Sequence, residues 1–230
     1  MDEPVEAVLF DVDGTLCEYR RSGAELLAAA FEHEGVEPFF RVKAYYDRFE
    51  KFAAHHDGID DLRAACFAAI AADRGRDRAI GHALAGHYAA ARDHGEVRYL
   101  PDAREAIDAL ADEHRLGVVT NGRPSTQKPK LAALGLTDAF GTVVYAGHDV
   151  APKPDPTPFH RALDDMGTRP ERTVHVGNSL DADVAGAHAA GLRSVWVPDD
   201  AGAVEMEGPD DERADYVLDS LEELTTPPWR

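Results

Sequence analysis

The chain has 230 residues, 44% of them hydrophobic, and a formal net charge of −19 at pH 7. Its length fits one large domain, or a core that carries a smaller inserted domain. The acidic balance argues against binding to nucleic acid or an anionic membrane, since neither a basic patch nor a basic amphipathic helix is present.

The first predicted element is the apolar run Ala7-Val8-Leu9-Phe10, which breaks at Asp11-Val12-Asp13-Gly14-Thr15. It reads as a buried strand that ends in two carboxylates. Open α/β sheets bind ligands at that carboxyl-terminal edge. Two acids one residue apart repel each other unless positive charge lies beside them, and a hard cation with oxygen ligands supplies it. An ordinary Asp-Gly turn is the alternative reading of these residues alone.

Residues 17–97 read as wholly helical. Ser22-Gly23-Ala24-Glu25 is a capping box, and Leu26, Leu27, Ala30 and Phe31 follow on one face before Gly35. Further stripes are Tyr45, Tyr46, Phe49 and Phe52; then Leu62, Cys66, Ala69 and Ile70; then Ile80, Leu84, His87 and Tyr88. Helical spacing accounts for them as packing residues. His55-His56 and the pair His82/His87 lack the i, i+4 spacing of a zinc-binding helix face. Cys17 and Cys66 have no metal-ligand spacing and do not suggest a disulfide framework.

From about Leu100 the pattern alternates. Helices are expected over 103–113, 125–134, 157–166 and 182–190. Strands are expected over 116–120, 142–146, 173–176 and 194–197, with a strand over 215–218 and a helix over 220–224 at the end. Such alternation implies right-handed βαβ units and a parallel sheet covered on both faces. The first strand joins this sheet across the helical stretch, which is therefore an insertion. The expected domains are an α/β core of residues 1–16 and 98–230 and a helical domain of residues 17–97. An insertion directly after the acidic turn covers the sheet edge where the carboxylates lie.

Three more polar signals fall at later strand ends. Thr120-Asn121-Gly122 offers a hydroxyl and backbone N–H groups to phosphate oxygens. Lys153-Pro154 sets a scarce lysine in a rigid loop. Gly177-Asn178-Ser179-Leu180-Asp181-Ala182-Asp183 is a turn rich in oxygen side chains. At the ends of parallel strands all four signals can converge on one point.

In order and spacing, Asp11-Val12-Asp13-Gly14-Thr15, Thr120, Lys153-Pro154 and Gly177-Asn178-Ser179 through Asp183 resemble the four motifs of the haloacid-dehalogenase-like hydrolase superfamily. The resemblance runs from about residue 5 to 225, and the helical insertion resembles that superfamily's C1-type cap. It implies a Rossmann-like α/β core with an inserted helical cap, and Mg2+-dependent hydrolysis of a small-molecule phosphate monoester. By the same resemblance, Asp11 is the nucleophile that becomes an aspartyl phosphate, and Asp13 is the general acid and base. Asp11, the Asp13 carbonyl, Asn178 and Asp183 would hold Mg2+, the last directly or through water. Thr120, Asn121, Gly122 and Lys153 would bind the phosphoryl group. Many relatives carry Asp where this chain has Asn178, which removes one negative charge that Asp181 could restore.

Other readings stay open at this level. Asp13 has no task in 2-haloacid dehalogenation, where halide leaves without a proton. A phosphonate hydrolase would need Lys43 or Lys51 as a Schiff-base lysine. A sugar-phosphate mutase shares the four motifs, and an inactive binding protein could keep the fold. The expected partner is a small phosphorylated metabolite. No apolar run reaches membrane-spanning length, and a cytoplasmic location is expected. The motifs leave the substrate and the oligomeric state open.

Nineteen of the 24 basic residues are arginine. An acidic, lysine-poor surface resembles that of proteins from high-salt cytoplasm. Molar salt shortens the screening length to about 3 Å and quiets the self-repulsion. The unfolding midpoint is therefore expected to rise between low and molar KCl, and replacing several surface Asp and Glu residues by Asn and Gln should flatten the low-salt part of that curve. An unchanged midpoint would refute the high-salt reading.

Overall fold

The computed structural model describes residues 3–53, 55–56, 58–198 and 214–229. The chain forms two compact units, one of residues 1–19 and 94–230 and the other of residues 20–93. In the first unit six parallel strands make one sheet. They are β1 (Ala7–Phe10), β4 (Arg115–Thr120), β5 (Thr142–Tyr145), β6 (Thr173–Gly177), β7 (Arg193–Trp196) and β8 (Tyr216–Val217), in the order β5-β4-β1-β6-β7-β8. β1 is central: Phe10 pairs with Val118 of β4 on one side and Val176 of β6 on the other.

Every residue of β1 is buried, and alternation sends its side chains to opposite faces. Val8 and Phe10 join Val118, Val174, Ala106, Ile107, Leu110, Leu131 and Leu221. Ala7 and Leu9 join Val119, Val144, Phe159, Leu163 and Ala187. The first group is covered by helices α5 (Ala103–Ala111) and α6 (Pro124–Ala133), together with a 3-10 turn at Leu221–Thr225. The second is covered by α7 (Thr157–Met166) and α8 (Ala185–Ala189). The expected α/β architecture with helices on both faces is therefore present.

Residues 20–93 form a helical unit of α1 (Gly23–Glu34), α2 (Lys43–Ala53), α3 (Ile59–Asp73) and α4 (Arg78–Ala91). The capping box forms as read: Ser22 Oγ accepts from the Glu25 N–H at 3.2 Å, and Glu25 Oε2 accepts from the Ser22 N–H at 2.7 Å. The core gathers Leu26, Phe31, Phe40, Tyr45, Leu62, Phe67, Leu84 and Tyr88. Both cysteines are buried and free.

Two local expectations change. Residues 17–97 are not wholly helical, because β2 (Cys17–Tyr19) and β3 (Val97–Tyr99) pair antiparallel. The unit boundaries accordingly fall at 19/20 and 93/94 rather than at 16/17 and 97/98. Three-residue strands are too short to carry a readable alternation. The helix expected over 182–190 begins instead as a π-type turn, Leu180–Val184, before α8. There the N–H groups of Asp183 and Val184 share the Ser179 carbonyl, at 2.9 and 3.1 Å. Among the described residues no helix is long and apolar enough to cross a membrane.

Gly81 fixes the approach of α4 to α3. A Cβ there would meet the Phe67 carbonyl oxygen at 2.5 Å and the Ala68 backbone at 2.6 Å. Backbone cannot swing aside as a side chain can. Gly81→Ala is expected to destabilise by about 1–3 kcal/mol, although alanine is the better helix former. Urea unfolding followed by circular dichroism checks this, and an unchanged midpoint would contradict it.

Candidate active site

β1 lies between β4 and β6, so the residues that follow these strands are neighbours at one sheet edge. Asp11 continues β1, and its N–H donates to the Val176 carbonyl at 2.9 Å. Lys153 comes from the loop between β5 and α7. Its side chain is only 2% exposed, and its Nζ donates to Asp11 Oδ1 at 2.8 Å, to Asp183 Oδ1 at 2.6 Å and to the Val119 carbonyl at 2.8 Å. Those three contacts match the three donors of an ammonium. The loop itself is clamped: Asn121 Oδ1 accepts from the Lys153 N–H at 2.8 Å, and Asn121 Nδ2 donates to the Lys153 carbonyl at 3.0 Å.

Asp183 is buried, and both its oxygens are engaged. Oδ1 takes Lys153 and His175 Nε2, the latter at 3.0 Å, and Oδ2 accepts from the Ser179 N–H at 3.0 Å. Gly177 makes room for this carboxylate, since a Cβ would fall 2.3 Å from Asp183 Cγ. Burial alone would raise Asp183, but Lys153 and His175 outweigh it and hold the group below the usual carboxylate range. Asp11 behaves in the opposite way. Burial, with Asp183 and Asp13 adding, pushes it up to about 6 despite Lys153. Burial lowers His175, which is therefore the neutral partner of Asp183.

Asp13 is held from α6. Gln127 Nε2 donates to Oδ2 at 2.6 Å, and Lys130 Nζ donates to Oδ1. Gly14 adopts φ +77°, and a Cβ there would fall 2.6 Å from Asn178 Nδ2. Thr15 Oγ1 lies 3.4 Å from Asn178 Oδ1, and the Asn178 carbonyl accepts from the Trp196 indole at 2.9 Å. Thr120 is buried at the end of β4, and its Oγ1 accepts the Gly122 N–H at 3.2 Å. Asp181 is exposed on the π-type turn, whereas Asp183 turns inward to Lys153. Burial pushes the Cys17 thiol up to about 12, which makes it a packing group.

Asp11, Lys153 and Asp183 are thus in direct contact, and Asn121 is joined to them through the Lys153 backbone. Three carboxylates (Asp11, Asp13 and Asp183) face two ammonium groups, Lys130 and Lys153. The excess negative charge and the raised Asp11 suit a cation. Among the described residues no three His, Cys, Asp or Glu side chains group around a metal position. The suitable donors are instead a carboxylate, an amide oxygen and the main chain, a hard-oxygen set. Sequence reading missed Gln127, Lys130 and His175. Lysine scarcity, which drew attention to Lys153, applied equally to Lys130.

A family model for haloacid dehalogenase-like hydrolases matches residues 5–191. The chain belongs to this family. It is 30% identical to the ribulose-1,5-bisphosphate 5-phosphatase of Halopiger xanaduensis, over 95% of this chain and 97% of that one. It is 33% identical to the phosphoserine phosphatase of Thermus thermophilus, over 84% of this chain and 88% of the relative. Among solved structures, the magnesium-bound hydrolase YfnB of Bacillus subtilis superposes with a TM-score of 0.74 at 25% identity, covering 97% of this chain and 98% of that one. This haloacid dehalogenase-like protein is accordingly a hydrolase of the phosphatase kind.

The buried contact between Lys153 and Asp183 yields a direct expectation. Asp183→Asn removes one counter-charge from a buried ammonium, and breaking such a pair costs about 3–5 kcal/mol. Denaturant unfolding at pH 7 should show a loss of that order. A loss below about 1 kcal/mol would mean that Asp11 alone compensates Lys153.

Proposed function

We propose that this phosphatase hydrolyses small phosphate monoesters in the cytoplasm through an aspartyl-phosphate intermediate on Asp11, with Mg2+ as cofactor and residues 20–93 as a helical cap. The observation that carries the reading is the buried Lys153 ammonium held between Asp11 and Asp183 at the sheet edge. One Asp11 oxygen is fixed by Lys153, which leaves the other to attack phosphorus. As the Asp11–phosphorus bond forms, the bond from phosphorus to the ester oxygen breaks, and its electron pair stays on that oxygen. Asp13 supplies the proton that makes it an alcohol. Asp13 then takes a proton from water, whose oxygen attacks phosphorus and returns Asp11 as a free carboxylate.

Thr120 and the N–H groups of Asn121 and Gly122 would hold the phosphoryl oxygens, while the Lys153 ammonium, its three donors already taken, would offset by its charge the negative charge that develops on them. The Asp11 carboxylate, the Asp13 carbonyl and the Asn178 amide would bind Mg2+, which supplies charge neutralisation at the transferring group. Asp183, with its oxygens engaged by Lys153, His175 and Ser179, would be an outer partner of that ion. The names of the two relatives support a small phosphorylated metabolite as substrate. The Asp13 carboxylate separates this reading from dehalogenation, in which the leaving halide needs no proton.

The test is substitution with two probes. Asp11→Asn should abolish phosphate release, because an amide is a poor nucleophile. Asp13→Asn should lower kcat/KM on glycerol 2-phosphate by about 10²–10⁴-fold, the usual worth of general acid catalysis. On p-nitrophenyl phosphate the loss should be much smaller, since its leaving group needs little protonation. Equal losses on both probes would remove the acid role from Asp13, and activity in Asp11→Asn would remove the nucleophile.

A further inference from the structure

A charged lysine is buried in α6 with no evident need of the fold. The Lys130 side chain is 3% exposed, while its partner Asp13 is 47% exposed. Burial opposes the charge on Lys130, but Asp13 and then Tyr19 outweigh it and keep the ammonium protonated. The ammonium lies 4.5 Å from the centre of the Tyr19 ring, a cation–π contact. Tyr19 is fixed in turn by its hydroxyl, 2.6 Å from His94 Nδ1. Replacing a buried ion pair by packed apolar groups is often neutral or stabilising, so stability alone gives no reason for a lysine here.

Gln127 lies one turn earlier on the same face and takes the other Asp13 oxygen. Its side chain crosses the Gly122 backbone so closely that a Cβ on Gly122 would fall 1.7 Å from Gln127 Nε2. Its Oε1 is buried and makes no hydrogen bond among the described residues. An unpaired buried acceptor costs about 1–3 kcal/mol. The amide therefore accepts a loss at one end in order to present its N–H to Asp13. A half-exposed aspartate would otherwise move among its rotamers. Two donors from one rigid helix, one on each oxygen, hold it in a single orientation. A carboxylate has about four lone-pair positions, so two stay available to a proton or a ligand.

We propose that Lys130 and Gln127 are positioning residues that fix the Asp13 carboxylate in the one orientation from which it exchanges a proton with the leaving-group oxygen. The inference rests on the assignment of Asp13 as general acid made above. It adds the device that makes this acid directional. As the ester bond to phosphorus breaks, the proton passes from Asp13 to the departing oxygen. The negative charge left on Asp13 forms against two donors already in place, so no reorganisation is required at that moment.

The experiment compares Lys130→Met and Gln127→Met with the native protein and Asp13→Asn. Values of kcat/KM are measured on glycerol 2-phosphate and on p-nitrophenyl phosphate. This ratio reads only the steps up to alcohol release, so later attack by water does not blur it. Lys130→Met should lose about 100-fold on the alkyl ester and less than about fivefold on the aryl ester. Gln127→Met should show the same split at about tenfold. A merely structural role would lower both esters alike, together with the unfolding temperature, and that result overturns the proposal. If Lys130→Met does not fold, the split or its absence in Gln127→Met decides. Should Asp13→Asn itself show no split, the acid assignment fails. A split in Asp13→Asn with none in the α6 variants refutes only the positioning role.

Discussion

One ammonium group organises the sheet edge. Lys153 Nζ has three donors and three acceptors, and each acceptor belongs to a different strand or the turn after it: Asp11 to β1, the Val119 carbonyl to β4 and Asp183 to the turn after β6. Burying that charge costs several kcal/mol unless every donor is met. The site therefore holds its geometry only when all three segments stand where they do. A lysine suits the position better than an arginine, because a compact point charge serves acceptors arriving from three directions. The raised Asp11 and the lowered Asp183 are two sides of the same arrangement. Lys153 has one charge to share between two carboxylates, and Asp183 also has His175 and the Ser179 N–H.

The glycines and amides around this group serve close approach. Gly177 admits Asp183, Gly14 admits Asn178 and Gly122 admits Gln127. In each case a side chain occupies the space a Cβ would take, so the polar group packs directly against the backbone. Asn121 extends this logic by giving both ends of its amide to the Lys153 main chain. It acts there like a short piece of strand, joining the loop after β4 to the loop before α7.

Much of this was legible in the sequence because period and punctuation coincide. The run 7–10, closed by Asp-Val-Asp-Gly, read as a strand delivering carboxylates to an edge, and the polar signals at the later strand ends weighed against a plain Asp-Gly turn. The later alternation then fixed a parallel sheet around it. Thr120 and Asp183 stood out as polar groups at or just after the ends of apolar runs, and Lys153 as a scarce lysine set in a proline-bounded loop. Gln127 and Lys130 did not, because they sit inside a helix where polar residues normally mark the solvent face. Only their burial reveals that this face turns inward. His175 was hidden in the same way, as one polar residue in the fully buried strand β6. The π-type turn at 180–184 was unreadable, since a single turn of five residues carries no periodicity of its own. The β2–β3 ribbon was too short for any pattern.

That ribbon and the helical unit bear on how the chain assembles. β2 and β3 meet across an intervening stretch that includes all of residues 20–93. The unfolded chain must close a loop of that length to pair them. Within the helical unit, however, the Arg92 guanidinium donates to the Arg21 carbonyl at 2.7 Å, which ties the two ends of the segment together. Once α1 to α4 have folded, the entropy of closure is no longer that of a long coil but that of a tight turn. Closure entropy grows as the logarithm of loop length, so the difference is roughly 2 kcal/mol. This long-range pairing becomes a local one, and the contact order governing its formation falls with it.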